Sequence, residues 1–174
     1  IDNPDENGVG ELCIKGESVA KGYYNDPVAT SEAFGEDGFF HTGDSARIDK
    51  NGKIFLSGRK KNTIVLENGK NVYPEEIEVE LAAVPGIIDV VVYEGISKRG
   101  AEKNAIVAEI YPDYDAFKAK GIEDIRGYFA KEIKKINDRN VAYKFIGRVK
   151  LRTEEFPKNT SRKITRFKID KTVD

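Results

Sequence analysis

Two charged residues, Asp44 and Lys163, are candidates for binding or catalysis. Asp44 follows a glycine in the run Thr-Gly-Asp, which predicts a carboxylate held in a tight turn. Lys163 lies in a basic stretch near the carboxyl end, where an ammonium group would stabilise negative charge developing on a substrate. Each also has a plainer interpretation, Asp44 as a turn-capping residue and Lys163 as one more surface cation. Taken one at a time, the residues favour these plainer interpretations.

Several common kinds of site are excluded by counts and motifs. The chain has one Cys and one His, which cannot furnish a zinc site by themselves, so we predict no metal site. It contains no Gly-x-Ser-x-Gly elbow, no Gly-x-Gly-x-x-Gly run and no Walker phosphate loop. A single Cys also excludes an internal disulfide, which is consistent with the reducing cytoplasm where we expect the protein.

Charge is distributed unevenly along the chain. Charged residues make up 34% of it against 39% hydrophobic, which predicts a soluble domain, and no apolar run approaches the ~20 residues that cross a bilayer. Residues 1–58 carry 5 Lys and Arg against 11 Asp and Glu, whereas residues 139–174 carry 11 against 4. A basic end indicates either an anionic partner or an ordinary solvated surface, and charge alone favours the surface. Peripheral contact with a membrane stays open.

Turn signals divide the chain into two regions of different pattern. In residues 1–58, short apolar runs flank turns such as Asn51-Gly52, and one helix is predicted after Asp26, which predicts a β-rich region at the edge of something larger. From residue 59 onward, a hairpin at 63–73 precedes a helix that opens at Pro74. Strands are predicted at 87–93, 105–111 and 147–151, with a polar loop at 96–100.

An amphipathic helix completes the second region. Its apolar residues step by three or four positions: Ile122, Ile125, Phe129, Ile133 and Ile136. The pattern after residue 59 therefore predicts a compact α+β domain in which a small sheet is covered by two or three helices. Composition and spacing alone go no further.

Four motifs occur in a fixed order along the chain. Residues 10–24 contain Gly-Glu-Leu-Cys-Ile-Lys-Gly and Lys-Gly-Tyr-Tyr, and residues 40–44 read Phe-His-Thr-Gly-Asp. Residues 58–78 run from Gly-Arg-Lys-Lys-Asn to Pro-Glu-Glu-Ile-Glu, and residues 156–163 read Phe-Pro-Lys-Asn-Thr-Ser-Arg-Lys. Together they resemble the AMP-forming adenylate synthetase superfamily, which contains acyl-CoA synthetases, luciferase and the adenylation domains of peptide synthetases.

The resemblance implies a division of the chain. Residues 1–58 would be the carboxyl-terminal β subdomain of a large amino-terminal domain, residues 59–61 a hinge linker, and residues 62–174 a small mobile carboxyl-terminal domain. The acyl pocket and phosphate loop of the family would lie upstream of this fragment. We therefore expect the 174 residues alone to form no acyl adenylate.

The resemblance also implies roles for individual residues. Asp44 would accept hydrogen bonds from the two ribose hydroxyls of AMP, with Thr42 and Arg59 as further nucleotide contacts. His41 matches no catalytic role in the family and is interpreted as structural. Lys61 stands at the family's hinge, where an unbranched exposed side chain tolerates large backbone changes.

Two more roles concern the chemistry of the two half-reactions. Gly69 would let the pantetheine arm of CoA pass close to the backbone, although it is equally explained as a hairpin-turn glycine. Lys163 would stabilise the charge on the carboxylate and α-phosphate during adenylation. One departure is that Arg162 stands where the family usually has Gly.

The run Thr-Ser-Arg-Lys-Ile-Thr-Arg and the string over residues 68–78 resemble bacterial long-chain fatty acyl-CoA synthetases. This implies an ATP-dependent acid–CoA ligase that uses ATP, Mg²⁺ and CoA, with small-molecule substrates and the rest of the large domain as its partners. An aryl-CoA ligase and a peptide-synthetase adenylation domain are alternatives. A non-catalytic module that binds RNA through the basic end is a more distant one, because the strand aromatics that stack bases are missing, and no nucleic acid is expected.

Overall fold

The computed structural model describes residues 1–97 and 105–173. These fall into two compact units, Ile1–Thr63 and Ile64–Asp174, called the first unit and the second unit below. Each has its own sheet.

The first unit is built on a three-stranded antiparallel sheet in the order β1-β2-β3. The Asn51-Gly52 turn joins β2 to β3, as the sequence predicts. The Asp26 carboxylate accepts a 2.9 Å hydrogen bond from the amide of Ala29 and so caps the one helix. The elements are β1 (Gly10–Ile14), α1 (Pro27–Ala33), β2 (Phe40–Ile48) and β3 (Ile54–Arg59), followed by a 3₁₀ turn (Lys60–Asn62).

The Thr-Gly-Asp run does not form the predicted tight turn, because it lies inside strand β2. Residue pairing changes from Glu11–Ser45 to Cys13–His41, so one residue of β1 faces three of β2 and β2 bulges at residues 42–44. Gly43 takes a φ of +71° within this bulge, a conformation that glycine adopts without strain. The bulge, rather than a turn, fixes the direction of the Asp44 side chain.

The second unit contains a mixed three-stranded sheet in the order β6-β8-β9, with β8 antiparallel to β6 and parallel to β9. Strands β4 and β5 form the predicted hairpin, and β7 pairs with β10 in parallel. The strands are β4 (Ile64–Val65), β5 (Asn71–Val72), β6 (Ile87–Glu94), β7 (Ile96–Ser97), β8 (Ile106–Pro112), β9 (Ile146–Leu151) and β10 (Thr172–Val173). The helices are α2 (Pro74–Ala82), α3 (Tyr114–Ala119) and α4 (Ile125–Arg139).

Both faces of this sheet are buried. Alternate residues of β6 and β8 point into two different apolar clusters, as the period of two in a strand requires. The larger cluster takes in the helices and includes Leu81, Ile110 and Phe129, all fully buried. The smaller cluster is closed by Phe156 and Ile169 from the carboxyl-terminal segment.

Helix α4 confirms the predicted apolar stripe, since Phe129, Ile133 and Ile136 are all buried. It begins at Ile125 rather than Ile122, because the Asp124 carboxylate accepts a 2.8 Å hydrogen bond from the amide of Gly127 and caps the helix there. The sequence did not predict α3, which covers residues between β8 and α4.

The α+β class of the second unit is confirmed. Of the predicted polar loop at 96–100, Ile96–Ser97 form β7, and residues 98–100 lie outside the described residues. The predicted linker at 59–61 spans the last residue of β3 and the start of the 3₁₀ turn, within the first unit. No helix in the described part of the chain is long and apolar enough to span a bilayer.

Candidate functional site

The bulge in β2 brings together three of the predicted nucleotide-binding residues. Arg59 lies opposite Asp44 in the β2–β3 ladder, and its Nη1 donates to Asp44 Oδ1 at 2.6 Å and to the Thr42 carbonyl at 3.1 Å. The Thr42 hydroxyl donates to the Leu12 carbonyl at 2.8 Å and accepts from the Asp44 amide at 3.1 Å. Thr42 therefore supports the bulge, while the second carboxylate oxygen of Asp44 has no partner among the described residues.

Glu11 fixes the same bulge from strand β1, and the sequence assigned it no role. Its side chain is only 7% exposed, and its Oε1 accepts from the Gly43 amide at 3.1 Å. Its Oε2 pairs with Lys60 Nζ at 2.7 Å and lies 3.2 Å from His41 Nδ1. Burial opposes ionisation of this carboxyl, but the hydrogen bonds from Lys60, His41 and Gly43 outweigh burial and lower its pKa. The sequence signal was an acidic residue within the motif Gly-Glu-Leu-Cys-Ile-Lys-Gly.

An open cleft of about 380 Å³ adjoins this arrangement, lined by Gly43, Arg59, Lys60 and Lys61. Arg59 and Lys60 are already paired with Asp44 and Glu11, so Lys61 is the cation of this cleft that remains to attract an anionic ligand such as a phosphate. Lys61, the predicted hinge residue, is exposed in the 3₁₀ turn, and its ammonium group has no partner among residues 1–97 and 105–173. Nothing in the local structure holds this side chain.

Gly69 occupies the turn of the β4–β5 hairpin. Its amide donates to the Leu66 carbonyl at 2.8 Å, and its φ of +77° favours glycine. A Cβ atom built at this position would meet no atom within 4 Å, so the space beside the backbone is open. The turn explains the glycine, and the open space is compatible with a ligand passing alongside.

Lys163 lies at the end of a tight loop in the second unit. The Asn159 carboxamide accepts from the Lys163 amide at 2.9 Å, and the Lys163 carbonyl accepts from the Asn159 amide at 2.9 Å. Lys158 and Ile164 close the loop through a β-bridge. The Lys163 side chain is exposed, and its ammonium group contacts no partner within the described residues. The loop fixes the backbone and leaves the cation free.

An ion pair secures this loop to the body of the second unit. The Arg166 guanidinium pairs with Glu78 of helix α2 and donates to the Val92 carbonyl at 3.2 Å. The other oxygen of Glu78 accepts from the Val92 amide at 2.6 Å. Burial raises the pKa of Glu78 despite the charge of Arg166. Glu78, the last residue of the Pro-Glu-Glu-Ile-Glu motif, thus anchors the segment that carries Lys163 through its ion pair with Arg166.

Arg162, where the superfamily motif usually has Gly, has a φ of +60°. Such a conformation is strained for a residue with a Cβ atom and is unstrained for glycine. The backbone at position 162 therefore suits the glycine that is usual in the superfamily better than the arginine of this chain.

A buried ionic network surrounds Glu109 of β8, and the sequence did not predict it. Glu109 is fully buried, pairs with Arg152 at 2.6 Å and accepts from the Tyr93 hydroxyl at 2.7 Å. Burial and then the hydrogen bond to Glu109 raise the pKa of Tyr93 well above its ordinary value. A single acid inside the apolar run at 105–111 was the available signal.

The basic carboxyl end is partly neutralised inside the second unit. Lys158 pairs with Asp89 at 2.7 Å, Arg152 pairs with Glu109, and Arg166 pairs with Glu78. These cations have structural partners, which weakens the interpretation of the region as a surface for nucleic acid.

No family model matches the chain. Among curated proteins, it is 34% identical over 167 residues to the putative acyl-CoA synthetase YngI of Bacillus subtilis, a match that covers 95% of this chain and 28% of that protein. It is 35% identical over 165 residues to 4-coumarate–CoA ligase 1 of Arabidopsis thaliana, covering 95% of this chain and 27% of that protein. Over 87 residues, half of this chain and 17% of the relative, it is 44% identical to the long-chain-fatty-acid–CoA ligase FadD13 of Mycobacterium tuberculosis.

Solved structures give the same result. The structure of ATP-bound MatB from Rhodopseudomonas palustris superimposes with a TM-score of 0.69 at 29% identity, over 91% of this chain and 29% of MatB. The adenylation domain of a carboxylate reductase from Mycobacterium chelonae has a TM-score of 0.77 at 24% identity, over 92% of this chain and 26% of that one, which shows a shared fold.

The chain belongs to the AMP-forming adenylate synthetase superfamily. It spans only 28% and 27% of the length of the first two relatives named above. Other superfamily relatives of similar identity carry the name nonribosomal peptide synthetase. The resemblance inferred from the four motifs is confirmed.

The described residues do not form a Mg²⁺ site of the kind that superfamily chemistry implies. Mg²⁺ prefers six oxygen ligands. The cluster of potential metal ligands found among the described residues consists of Glu11, Cys13 and His41, which offers one oxygen, one sulfur and one nitrogen. This donor set does not suit Mg²⁺. No step of the chemistry considered below is therefore assigned to Mg²⁺ bound by this chain.

Proposed function

We propose that the protein containing this chain is an ATP-dependent acid–CoA ligase of the long-chain fatty acid type. The enzyme would join a carboxylic acid to ATP as acyl-AMP with release of pyrophosphate. The CoA thiol would then attack the acyl carbon, so that a thioester forms and AMP leaves.

The observation that carries this proposal is the pairing of Asp44 with Arg59, which lines an open cleft together with Lys61. Arg59 occupies one carboxylate oxygen, which orients the Asp44 group and leaves its second oxygen to accept from a ribose hydroxyl. Lys61, the cation of this cleft without a partner among the described residues, would attract the phosphate of the same nucleotide. A ligand that offers both ribose hydroxyls and a phosphate is a nucleotide.

Lys163 would act in the adenylation step. Its ammonium group has no partner among the described residues, so no existing ion pair has to break before it contacts a substrate. In a water-excluded site, it would stabilise the charge that develops between the acid and the α-phosphate. The Arg166–Glu78 pair would hold the loop that presents it.

Two further residues would serve the change between half-reactions. Lys61 would be the hinge, since its side chain is exposed and has no partner in the described part of the chain. Gly69 would lie beside the pantetheine arm of CoA, with open space around its Cα atom.

The class of acid rests on two observations. The run at residues 160–166 resembles bacterial long-chain fatty acyl-CoA synthetases, and half of the chain is 44% identical to the long-chain-fatty-acid–CoA ligase FadD13. An aryl-CoA ligase is the second candidate, since the match to a 4-coumarate–CoA ligase covers 95% of the chain. Peptide-synthetase adenylation is a third candidate.

The decisive experiment measures acid-dependent exchange of pyrophosphate into ATP by the natural protein that contains this chain. We expect Lys163→Ala to lower exchange by about 10²–10³-fold, the effect of removing one charge-stabilising group from a transition state. Formation of acyl-CoA from supplied acyl-AMP should be retained. Lys168→Ala, at an exposed cation nearby, is the matched control and should leave both reactions unchanged.

Exchange that is absent from the natural protein with every acid tested would overturn the proposal. Exchange that is unaffected by Lys163→Ala would overturn the role of that residue alone. A panel of long-chain, aryl and amino acids tests the acid class, and a kcat/KM that is highest for 4-coumarate would favour the second candidate. The 174 residues by themselves should show no exchange.

A further inference from the structure

Three side chains of the first unit bring potential metal ligands together outside the proposed nucleotide contacts. Cys13 Sγ lies 3.4 Å from His41 Nδ1, and His41 Nδ1 lies 3.2 Å from Glu11 Oε2. One ligand atom from each residue lies within 4.8 Å of the others. Glu11 and Cys13 are two apart on β1 and share a face, while His41 faces Cys13 across the ladder.

Two of the three separations are close to the edges of a tetrahedral zinc site. Zinc binds thiolate sulfur at about 2.3 Å and imidazole nitrogen or carboxylate oxygen at about 2.0–2.2 Å. At tetrahedral angles, this places sulfur and nitrogen about 3.6 Å apart and nitrogen and oxygen about 3.4 Å apart. The observed separations of 3.4 and 3.2 Å differ from these by about 0.2 Å, and the Cys13 sulfur and the Glu11 carboxylate oxygen lie within 4.8 Å of each other.

The ligand types select the class of ion. Thiolate and imidazole favour Zn²⁺ and related transition metals, whereas Mg²⁺ and Ca²⁺ require oxygen ligands. The side chain of His41 is 30% exposed and lines an open cleft of about 310 Å³ together with Glu11 and Glu32. Three protein ligands and an open side allow water or an exogenous group to take a fourth position.

The prediction that this sequence has no metal site counted only its single Cys and single His. One Cys and one His cannot form a four-ligand site by themselves. The β1–β2 pairing places the Glu11 carboxylate beside both as a third ligand.

Glu11 already forms an ion pair with Lys60, so a metal ion would have to compete with Lys60 for the Glu11 carboxylate. Glu11 Oε2 contacts Lys60 Nζ at 2.7 Å, while Oε1 holds the Gly43 amide. An ion that bound Oε2 would displace the Lys60 ammonium group. Lys60 and Gly43 both line the cleft that holds Arg59, so the cation arrangement there would change when the ion binds.

We propose that Glu11, Cys13 and His41 form a binding site for Zn²⁺ or a similar divalent transition metal ion, which competes with Lys60 for Glu11. The site needs none of the residues to act in catalysis. It therefore stands or falls independently of the proposed ligase function.

The test is titration of the 174-residue chain with Co²⁺, which reports its own ligands by absorption. We expect saturable binding of one ion per chain with a thiolate-to-cobalt charge-transfer band, and displacement of Co²⁺ by Zn²⁺. Cys13→Ser should remove the band, and His41→Gln should weaken Zn²⁺ affinity at least about 10–100-fold. Lys60→Gln should tighten binding because it removes the competitor.

Glu36→Gln is the control, since it removes an exposed carboxylate of the first unit that lies outside the cluster, and it should leave the band unchanged. The far-ultraviolet circular dichroism of each variant checks that it folds. A Co²⁺ spectrum without a thiolate band, or a Zn²⁺ affinity that is the same in Cys13→Ser and the parent chain, would overturn the proposal. Weaker binding by Lys60→Gln would contradict the competition.

Discussion

The first and second units differ in the interactions that stabilise each of them internally. In the first unit, the buried hydrophobic residues are Val9 and Ala46, and large apolar side chains such as Ile54 and Leu56 are exposed. In the second unit, two apolar clusters fill both faces of a sheet. The first unit thus relies more on polar contacts around a buried carboxylate, and the second on apolar burial.

This difference bears on how each candidate site is positioned. Asp44 is oriented by hydrogen bonds and ion pairs that involve the charged side chains of Glu11 and Arg59. Lys163 extends from a loop whose flanking residues Phe156 and Ile169 are packed in a core. We infer that the second unit presents its site more rigidly. Four predictions test that contrast.

Stability should fall most when the buried ionic network of the second unit is broken. Glu109→Ala should lower the free energy of unfolding by about 3–5 kcal/mol, because it leaves Arg152 without its buried partner. Urea unfolding measures this loss. Lys150→Ala is the control, since Lys150 is 40% exposed and 3.5 Å from Glu109, and it should have a much smaller effect. Equal losses in the two variants would contradict the account of the network.

A smaller effect is expected for the carboxylate that organises the first unit. Glu11→Gln should lower the stability of that unit by roughly 1–3 kcal/mol, as it removes the charge from several hydrogen bonds. Amide hydrogen exchange at Gly43 should become faster, while exchange in β8 should stay unchanged. Glu17→Gln, at an exposed acid, is the control. Faster exchange in β8 as well would break the distinction between the units.

A gain of stability is expected at Arg162. Arg162→Gly should raise the free energy of unfolding by about 1 kcal/mol, because glycine adopts a φ of +60° without the clash of a Cβ atom. Arg162→Ala keeps the Cβ atom and should give no such gain. The midpoint of urea unfolding compares the three proteins, and a loss of stability in the glycine variant would sink this explanation.

The smallest effect is spectroscopic and concerns pH. The pKa of Tyr93 is raised in the folded state, so as pH rises above the ordinary value of 10.0 the unfolded chain loses this proton first. The stabilising contribution is complete below pH 10.0 and is lost as pH rises beyond it. Just above that pH, folded wild-type and Tyr93→Phe proteins should show equal phenolate absorbance, and they should differ only once unfolded. A difference in the folded state would refute this burial effect.

Much of the fold was predictable because its signals are local. The steps of three and four between apolar residues predicted α4, and the Asn-Gly runs predicted both hairpins. The start of α4 was misplaced by three residues, because Ile122 is apolar and packs on the core although Asp124 caps the helix after it. Periodicity reports which residues are buried, whereas capping decides where a helix begins.

The superfamily and the α+β class follow from motifs and periodicity, which need no knowledge of distant contacts. The candidate site residues were predicted from the same motifs, but how they are held depends on the tertiary structure. It placed Thr-Gly-Asp in a strand bulge instead of a turn, because the pairing of β1 with β2 leaves unequal numbers of residues on the two strands. It also brought Glu11 to Lys60, 49 positions away, and Glu109 to Arg152, 43 positions away. Strand pairing sets such contacts, and no local pattern encodes them.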